Sequence, residues 1–164
     1  MAASIERISA MLILTLATIS EAGWIPPPKT VVRIVNQLNV DVTAHCKSKN
    51  DDLGARVMHP NDLGSAYFIK FRPNLFGRTL FFCSFVWGSE PVKLFDIYKN
   101  DFCTQCFWGV VSWGTMNGTF ICKMSHPPDG NYDLCYPFKN ATATSSSLRP
   151  IPLPNKNLEI ENSK

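Results

Sequence analysis

The stretch Val40-Asp41-Val42-Thr43-Ala44-His45-Cys46 decides the fold class, because Val40, Val42, Ala44 and Cys46 alternate with Asp41, Thr43 and His45. Successive side chains of a strand point to opposite faces, so one face of this segment is dry and the other wet. Short β-branched and aromatic runs broken by Asn, Asp, Gly and Pro continue from Val31 to Phe138, with no long stretch of helical period. Further strands are read at 31–36, 65–71, 79–87, 92–98, 104–112, 119–124 and 132–138. About eight short strands separated by turn residues predict an all-β fold, a small antiparallel β-sandwich stapled by disulfides. The run 79–87 is apolar on both faces, with Leu80, Phe82 and Val86 on one and Phe81, Phe85 and Trp87 on the other. That pattern predicts a central strand whose outer face is also covered, the most buried element of the domain. Pro73 and Gly77 mark a turn before it.

The two ends of the chain read differently. Arg7 leads into the apolar run 8–19 and then Ser20-Glu21-Ala22, the pattern of a secretory signal peptide cut after Ala22. The run is short of the ~20 apolar residues that a spanning helix needs. Residues 1–22 are therefore read as signal peptide and 23–30, with Pro26-Pro27-Pro28, as a Pro-rich lead-in. The domain follows at 31–139, and 140–164, rich in Ala, Thr and Ser and then Pro, is read as a disordered tail. Cleavage at Ala22 leaves 142 of the 164 residues and removes Arg7, Glu6 and Glu21, which raises the formal charge from +3 to +4. The basic residues are scattered, so nucleic acid is not the expected partner, and no later apolar stretch is an integral membrane segment.

All six cysteines, Cys46, Cys83, Cys103, Cys106, Cys122 and Cys135, lie in the mature chain. An even number behind a signal peptide predicts three disulfides of open connectivity, and a secreted, extracellular destination. Asn117-Gly118-Thr119 and Asn140-Ala141-Thr142 fit the N-glycosylation sequon, making Asn117 and Asn140 candidate glycan sites.

Cys103-Thr104-Gln105-Cys106 has the spacing of a redox pair or of half a zinc site. A redox pair should open a helix after a strand, and a zinc module usually brings a second ligand pair, whereas here the pair enters Phe107-Trp108-Gly109-Val110-Val111. Structural disulfides are the favoured reading, with no cofactor. If 103–106 is strand, an offset of three sends the two sulfurs to opposite faces, so each is expected to pair elsewhere. For catalysis only His45, His59 and His126 could act as near-neutral bases, and none lies in a local nucleophile motif. No enzymatic activity is expected. The most distinctive local feature is the charged segment 45–54, read as a hairpin-like loop closed by Leu53-Gly54. A loop pinned by a neighbouring disulfide loses little entropy on binding, which makes Lys47, Lys49, Asp51 and Asp52 the candidate partner-binding residues.

His45-Cys46-Lys47-Ser48-Lys49 followed by Asp51-Asp52-Leu53-Gly54 resembles the hallmark segment of the plant self-incompatibility protein family, the S-protein homologues. Downstream, 79–87 is similar to that family's central strand, Phe95-Asp96-Ile97-Tyr98 to its next, Cys103-x-x-Cys106-x-Trp108 to its cysteine pair, and Tyr132-Asp133-x-Cys135-Tyr136-Pro137 to its closing motif. Asn50 stands where an acidic residue is frequent, Phe138 where Trp is, and 112–118 is longer than the pattern. The resemblance implies a small secreted β-sandwich protein, from a family in which some members are female-side determinants that signal to incompatible pollen through a cell-surface receptor. The expected function is that of an extracellular ligand or recognition protein, monomeric, binding a cell-surface receptor or another extracellular protein. The rivals are a secreted defence protein acting on microbial membranes or walls, and a secreted hydrolase.

Overall fold

The computed structural model describes residues 26–74, 76–99, 103–114, 118–124, 132, 134–140 and 149–151. The strands are β1 (Thr30–Asn36), β2 (Val42–Lys47), β3 (Asp52–Met58), β4 (Tyr67–Phe71), β5 (Leu80–Val86), β6 (Lys93–Lys99), β7 (Gln105–Trp113), β8 (Gly118–Met124), β9 (Leu134–Pro137) and β10 (Lys139–Asn140). One turn of 3-10 helix, Leu63–Ser65, precedes β4, and the Asp62 side chain caps it by accepting from the amides of Gly64 and Ser65. The strands form two five-stranded sheets, in the orders β4-β1-β7-β8-β9 and β10-β6-β5-β2-β3. Every pairing is antiparallel except β1 with β7, which is parallel.

Alternation explains how the sheets meet. Val32 and Ile34 of β1, Tyr67 and Ile69 of β4, and Trp108 and Val110 of β7 turn inward from the first sheet. Val42, Ala44 and Cys46 of β2, Phe81 and Phe85 of β5, and Phe95 and Ile97 of β6 turn inward from the second. Together they make one core between two facing sheets, in which the Trp108 ring meets Phe95 edge-on at 5.2 Å between centroids. A smaller cluster of Val111, Cys122 and Cys135, with Tyr132, Phe120 and Ile151 against it, sits on the outer face of the first sheet. Tyr132 comes so close to Gly109 that a Cβ there would lie 2.7 Å from the Tyr132 Cζ atom, so only glycine fits beneath the phenol.

Polar ties join the sheets at the β3–β4 side. Asn36, fully buried at the end of β1, donates to Val40 O and to Met58 O of β3 (both 2.8 Å), and its side-chain oxygen accepts from Leu38 N. The Tyr67 hydroxyl of β4 donates to Gly54 O of β3 at 2.7 Å.

The structure corrects four expectations. Residues 52–58 form strand β3 where the sequence reading placed none; six of its seven residues are exposed, so it carries too little apolar periodicity to be seen. The outer face of β5 is not covered: Leu80, Phe82 and Val86 are each 39% exposed, while Phe81, Cys83 and Phe85 on the other face are buried. Val40 stands outside β2 and is exposed. Cys103 and Cys106 pair with each other, because Cys103 lies before β7 begins and the period-two argument does not apply to it. Of the segment read as tail, Asn140 closes β10 and Ile151 pairs with Cys135 through Ile151 N to Cys135 O at 2.8 Å. Residues 141–148 and 152–164, like 1–25, lie outside the described residues.

The other disulfides are Cys46–Cys83 and Cys122–Cys135, each joining residues directly opposite on neighbouring strands. The sequence separations are 37, 13 and 3 for Cys46–Cys83, Cys122–Cys135 and Cys103–Cys106. Loop-closure entropy then ranks their contributions at roughly 4, 3 and 1.5 kcal/mol. Replacing each pair by alanine and measuring denaturant unfolding is expected to give losses in that order, with no free thiol in the parent protein. A Cys103/Cys106 variant that loses the most stability would contradict the ranking.

Candidate recognition surface at the β2–β3 turn

The candidate site is built on the end of β2, the turn 48–51 and the start of β3. Cys46 points inward and is bound to Cys83, which fixes the strand from which the turn departs. Ser48 organises the turn: its amide donates to Asp51 O at 2.8 Å, and its hydroxyl oxygen accepts from the amides of Asn50 and Asp51 while donating to Asp51 Oδ2 at 3.1 Å. A side chain that satisfies the turn's own backbone in this way holds the loop without help from solvent.

The four sequence-predicted residues fall into two pairs with different roles. Lys47, the last residue of β2, stands opposite Asp52, the first of β3, and its Nζ lies 2.9 Å from Asp52 Oδ2. Asp52 also meets His45 Nε2 through Oδ1 and accepts from Gly54 N at 3.0 Å. Gly54 adopts φ +78°, a conformation glycine tolerates, and this turns its amide back onto the carboxylate. Lys47 first, then His45 and the Gly54 amide, hold the Asp52 carboxyl well below the usual carboxylate range. Lys49 and Asp51 lie in the turn itself and are exposed. The structure thus brings all four together at one corner, two as a locked base and two as a displayed tip.

Sequence reasoning missed the third member of the base, His45, and the Tyr67 hydroxyl that supports Gly54 from β4. Tyr67 is thirteen residues from Gly54 in sequence, so no local signal could have found it. Burial raises the Tyr67 phenol, leaving it a hydrogen-bond donor over the accessible pH range.

The histidines bear on catalysis. His45 does meet a carboxylate, but on an open sheet face, and the hydroxyl of its cross-strand neighbour Ser84 points at the His45 backbone carbonyl at 3.4 Å. His59 Nδ1 lies 3.0 Å from Asp41 Oδ1, both exposed. His126 and Asn117 lie outside the described residues, as does the side chain of Asn140.

Because the folded Asp52 carboxyl is depressed below the ordinary value of about 3.9, its contribution is present above that pH and is lost only as pH falls toward the folded value. A carboxyl-detected NMR titration is expected to keep Asp52 ionised when the other exposed carboxylates have protonated, and Lys47→Ala should move its midpoint upward. An Asp52 midpoint at the ordinary value in the parent protein would contradict this geometry.

The profile described as plant self-incompatibility protein S1 matches residues 31–138. S-protein homolog 29 of Arabidopsis thaliana is 36% identical over 123 residues, covering 71% of this chain and 82% of the relative. S-protein homolog 5 of the same plant is 38% identical over 124 residues, covering 71% and 85%, and S-protein homolog 2 is 37% identical over 127, covering 71% and 72%. Nearly all of the described strands, both sheets and the 48–51 turn fall inside the matched span, and the chain belongs to the plant self-incompatibility protein S1 family, the S-protein homologues.

Proposed function

We propose that this protein is a secreted, extracellular recognition protein that acts by binding a cell-surface receptor or another extracellular protein, and not by catalysing a reaction. The observation that carries this reading is the 48–51 turn: an ordered tip bearing Lys49 and Asp51, set on a base locked by Lys47, Asp52 and His45 and anchored at Cys46–Cys83. A turn already organised in the free protein has little ordering entropy to lose on binding, and exposed charges of both signs set encounter rate and partner choice. The signal-like N-terminus and the three disulfides support an extracellular site of action. Family membership supports a signalling role of the kind expected for S-protein homologues, with pollen–pistil recognition as one form of it.

The two charge pairs are expected to separate on mutation. Lys49→Ala with Asp51→Ala should leave stability within about 0.5 kcal/mol of the parent and abolish most of the response of the receptive tissue, in a salt-dependent manner. Lys47→Ala with Asp52→Ala should lower both, because it loosens the base on which the tip stands. Full biological response from the Lys49/Asp51 variant would remove this turn as the contact site.

A further inference from the structure

Each open sheet has two edges, and three of the four in this sandwich are closed to a further strand. On β9 the place is taken by Ile151, whose amide donates to Cys135 O. β10 is only two residues long. β3 is interrupted by a register shift against β2 and by the positive φ of Gly54, and it carries Asp52 and Arg56. The fourth edge, β4, has none of these devices. Tyr67-Phe68-Ile69-Lys70-Phe71 contains no proline or glycine, pairs with β1 in unbroken register, and has no described residue paired along its other side. Its outward amides and carbonyls are a template for one more strand.

The two faces beside that edge select the side chains of the added strand. Toward the core, Tyr67 and Ile69 are buried, and a groove of about 700 Å³ runs between β4 and β3, with Leu53, Phe71 and Phe81 among its walls. Of the charged groups beside it, Arg56 donates to Gly64 O, and Asp51 accepts from Ser48 within its own turn. On the outer face stand Phe68 and Lys70, both exposed, with the Arg33 guanidinium of β1 over the Phe68 ring at 5.3 Å. Neither Arg33 nor Lys70 is paired with a carboxylate among the described residues. An added strand therefore meets apolar ground with every second residue and positive charge with the others. Two β4 edges pair poorly with each other, since that brings Lys70 and Arg33 of both copies onto one face.

The chain carries one sequence of the complementary kind. Beyond Pro152 and Pro154, which cannot donate to a ladder, Leu158-Glu159-Ile160-Glu161 alternates apolar and acidic residues; it lies outside the described residues. We propose that this segment of a second copy of the chain adds to β4 as an antiparallel strand. Leu158 then stands opposite Phe71, Glu159 opposite Lys70, Ile160 opposite Ile69 and Glu161 opposite Phe68, beside Arg33. In this register Leu158 and Ile160 face the groove and both glutamates face the cations. Reach assigns the segment to another molecule. The five strands of the first sheet separate the place beyond β9, where Ile151 is paired, from the place beyond β4 by six spacings of ~4.8 Å, about 29 Å. The seven residues from Ile151 to Leu158 span at most ~25 Å. The proposal rests on the β4 edge and not on the reading given to the 48–51 turn.

The test is sedimentation of the intact protein between ~10 μM and ~1 mM. The mean mass is expected to rise with concentration, and less so in high salt. Ile160→Asn, in the tail, and Lys70→Glu, at an exposed position, are expected to melt with the parent and to weaken self-association by about tenfold or more. Lys70→Glu combined with Glu159→Lys should restore it, and Lys49→Ala should leave it unchanged. A synthetic peptide of the sequence Asn155–Lys164, added to the Ile160→Asn protein, is expected to slow hydrogen exchange in 67–71 and to leave 134–140 unchanged. A protein that stays monomeric at ~1 mM overturns the proposal. So does association that survives either single change, a charge swap that fails to restore it, or slowed exchange at another edge in place of β4.

Discussion

The two sheets of this protein are closed on each other without a covalent link. Cys46–Cys83 staples β2 to β5 within one sheet, Cys122–Cys135 staples β8 to β9 within the other, and Cys103–Cys106 closes a local loop before β7. The disulfides therefore fix register inside each sheet and restrict the unfolded chain, while closure of the sandwich rests on burial. Phe85, Ile34, Ile97, Val110 and Ile121 are almost completely buried between the sheets, and each such side chain contributes about 1.5–3 kcal/mol relative to exposure. Burial alone does not fix how two sheets are placed. That is the role of Asn36 and Tyr67, whose hydrogen bonds run from the β1–β4 side to β3.

This division of labour leaves surfaces free for recognition. The turn 48–51 stands on the stapled strand β2, so its shape does not depend on the core adjusting around it. Strand β3, at the edge of its sheet, carries Asp52 and Arg56 and a positive-φ glycine at Gly54, features that discourage pairing with another chain. The exposed row of Leu80, Phe82 and Val86 lies at the middle of that sheet and not at its edge.

Most of the fold was legible because alternation is a strong signal wherever one face is dry, as in Val42, Ala44 and Cys46 against Thr43, His45 and Lys47. It failed where that contrast is missing. In β3 nearly every residue is wet, so Asp52-Leu53-Gly54-Ala55-Arg56 reads as loop although backbone pairing with β2 makes it strand. In β5 every face is apolar, and hydrophobicity could not say that Leu80, Phe82 and Val86 would remain exposed. The site was legible as a charged cluster, since Lys47, Lys49, Asp51 and Asp52 are close in sequence. Its division into base and tip was not, because the Lys47–Asp52 pairing follows from strand register and the support from Tyr67 comes from the other sheet. The parallel pairing of β1 with β7 is likewise a matter of topology that local pattern cannot reach.

The most direct measure of noncovalent closure is the stability of Asn36→Ala with all three disulfides intact. The change leaves Met58 O without its donor and Leu38 N without its acceptor, and an unsatisfied buried polar group costs about 1–3 kcal/mol apiece. The expected result is a loss of roughly 2–4 kcal/mol in denaturant unfolding, with the disulfides still formed. A variant that unfolds at the parent midpoint would show that this buried amide plays no part in holding the sheets together.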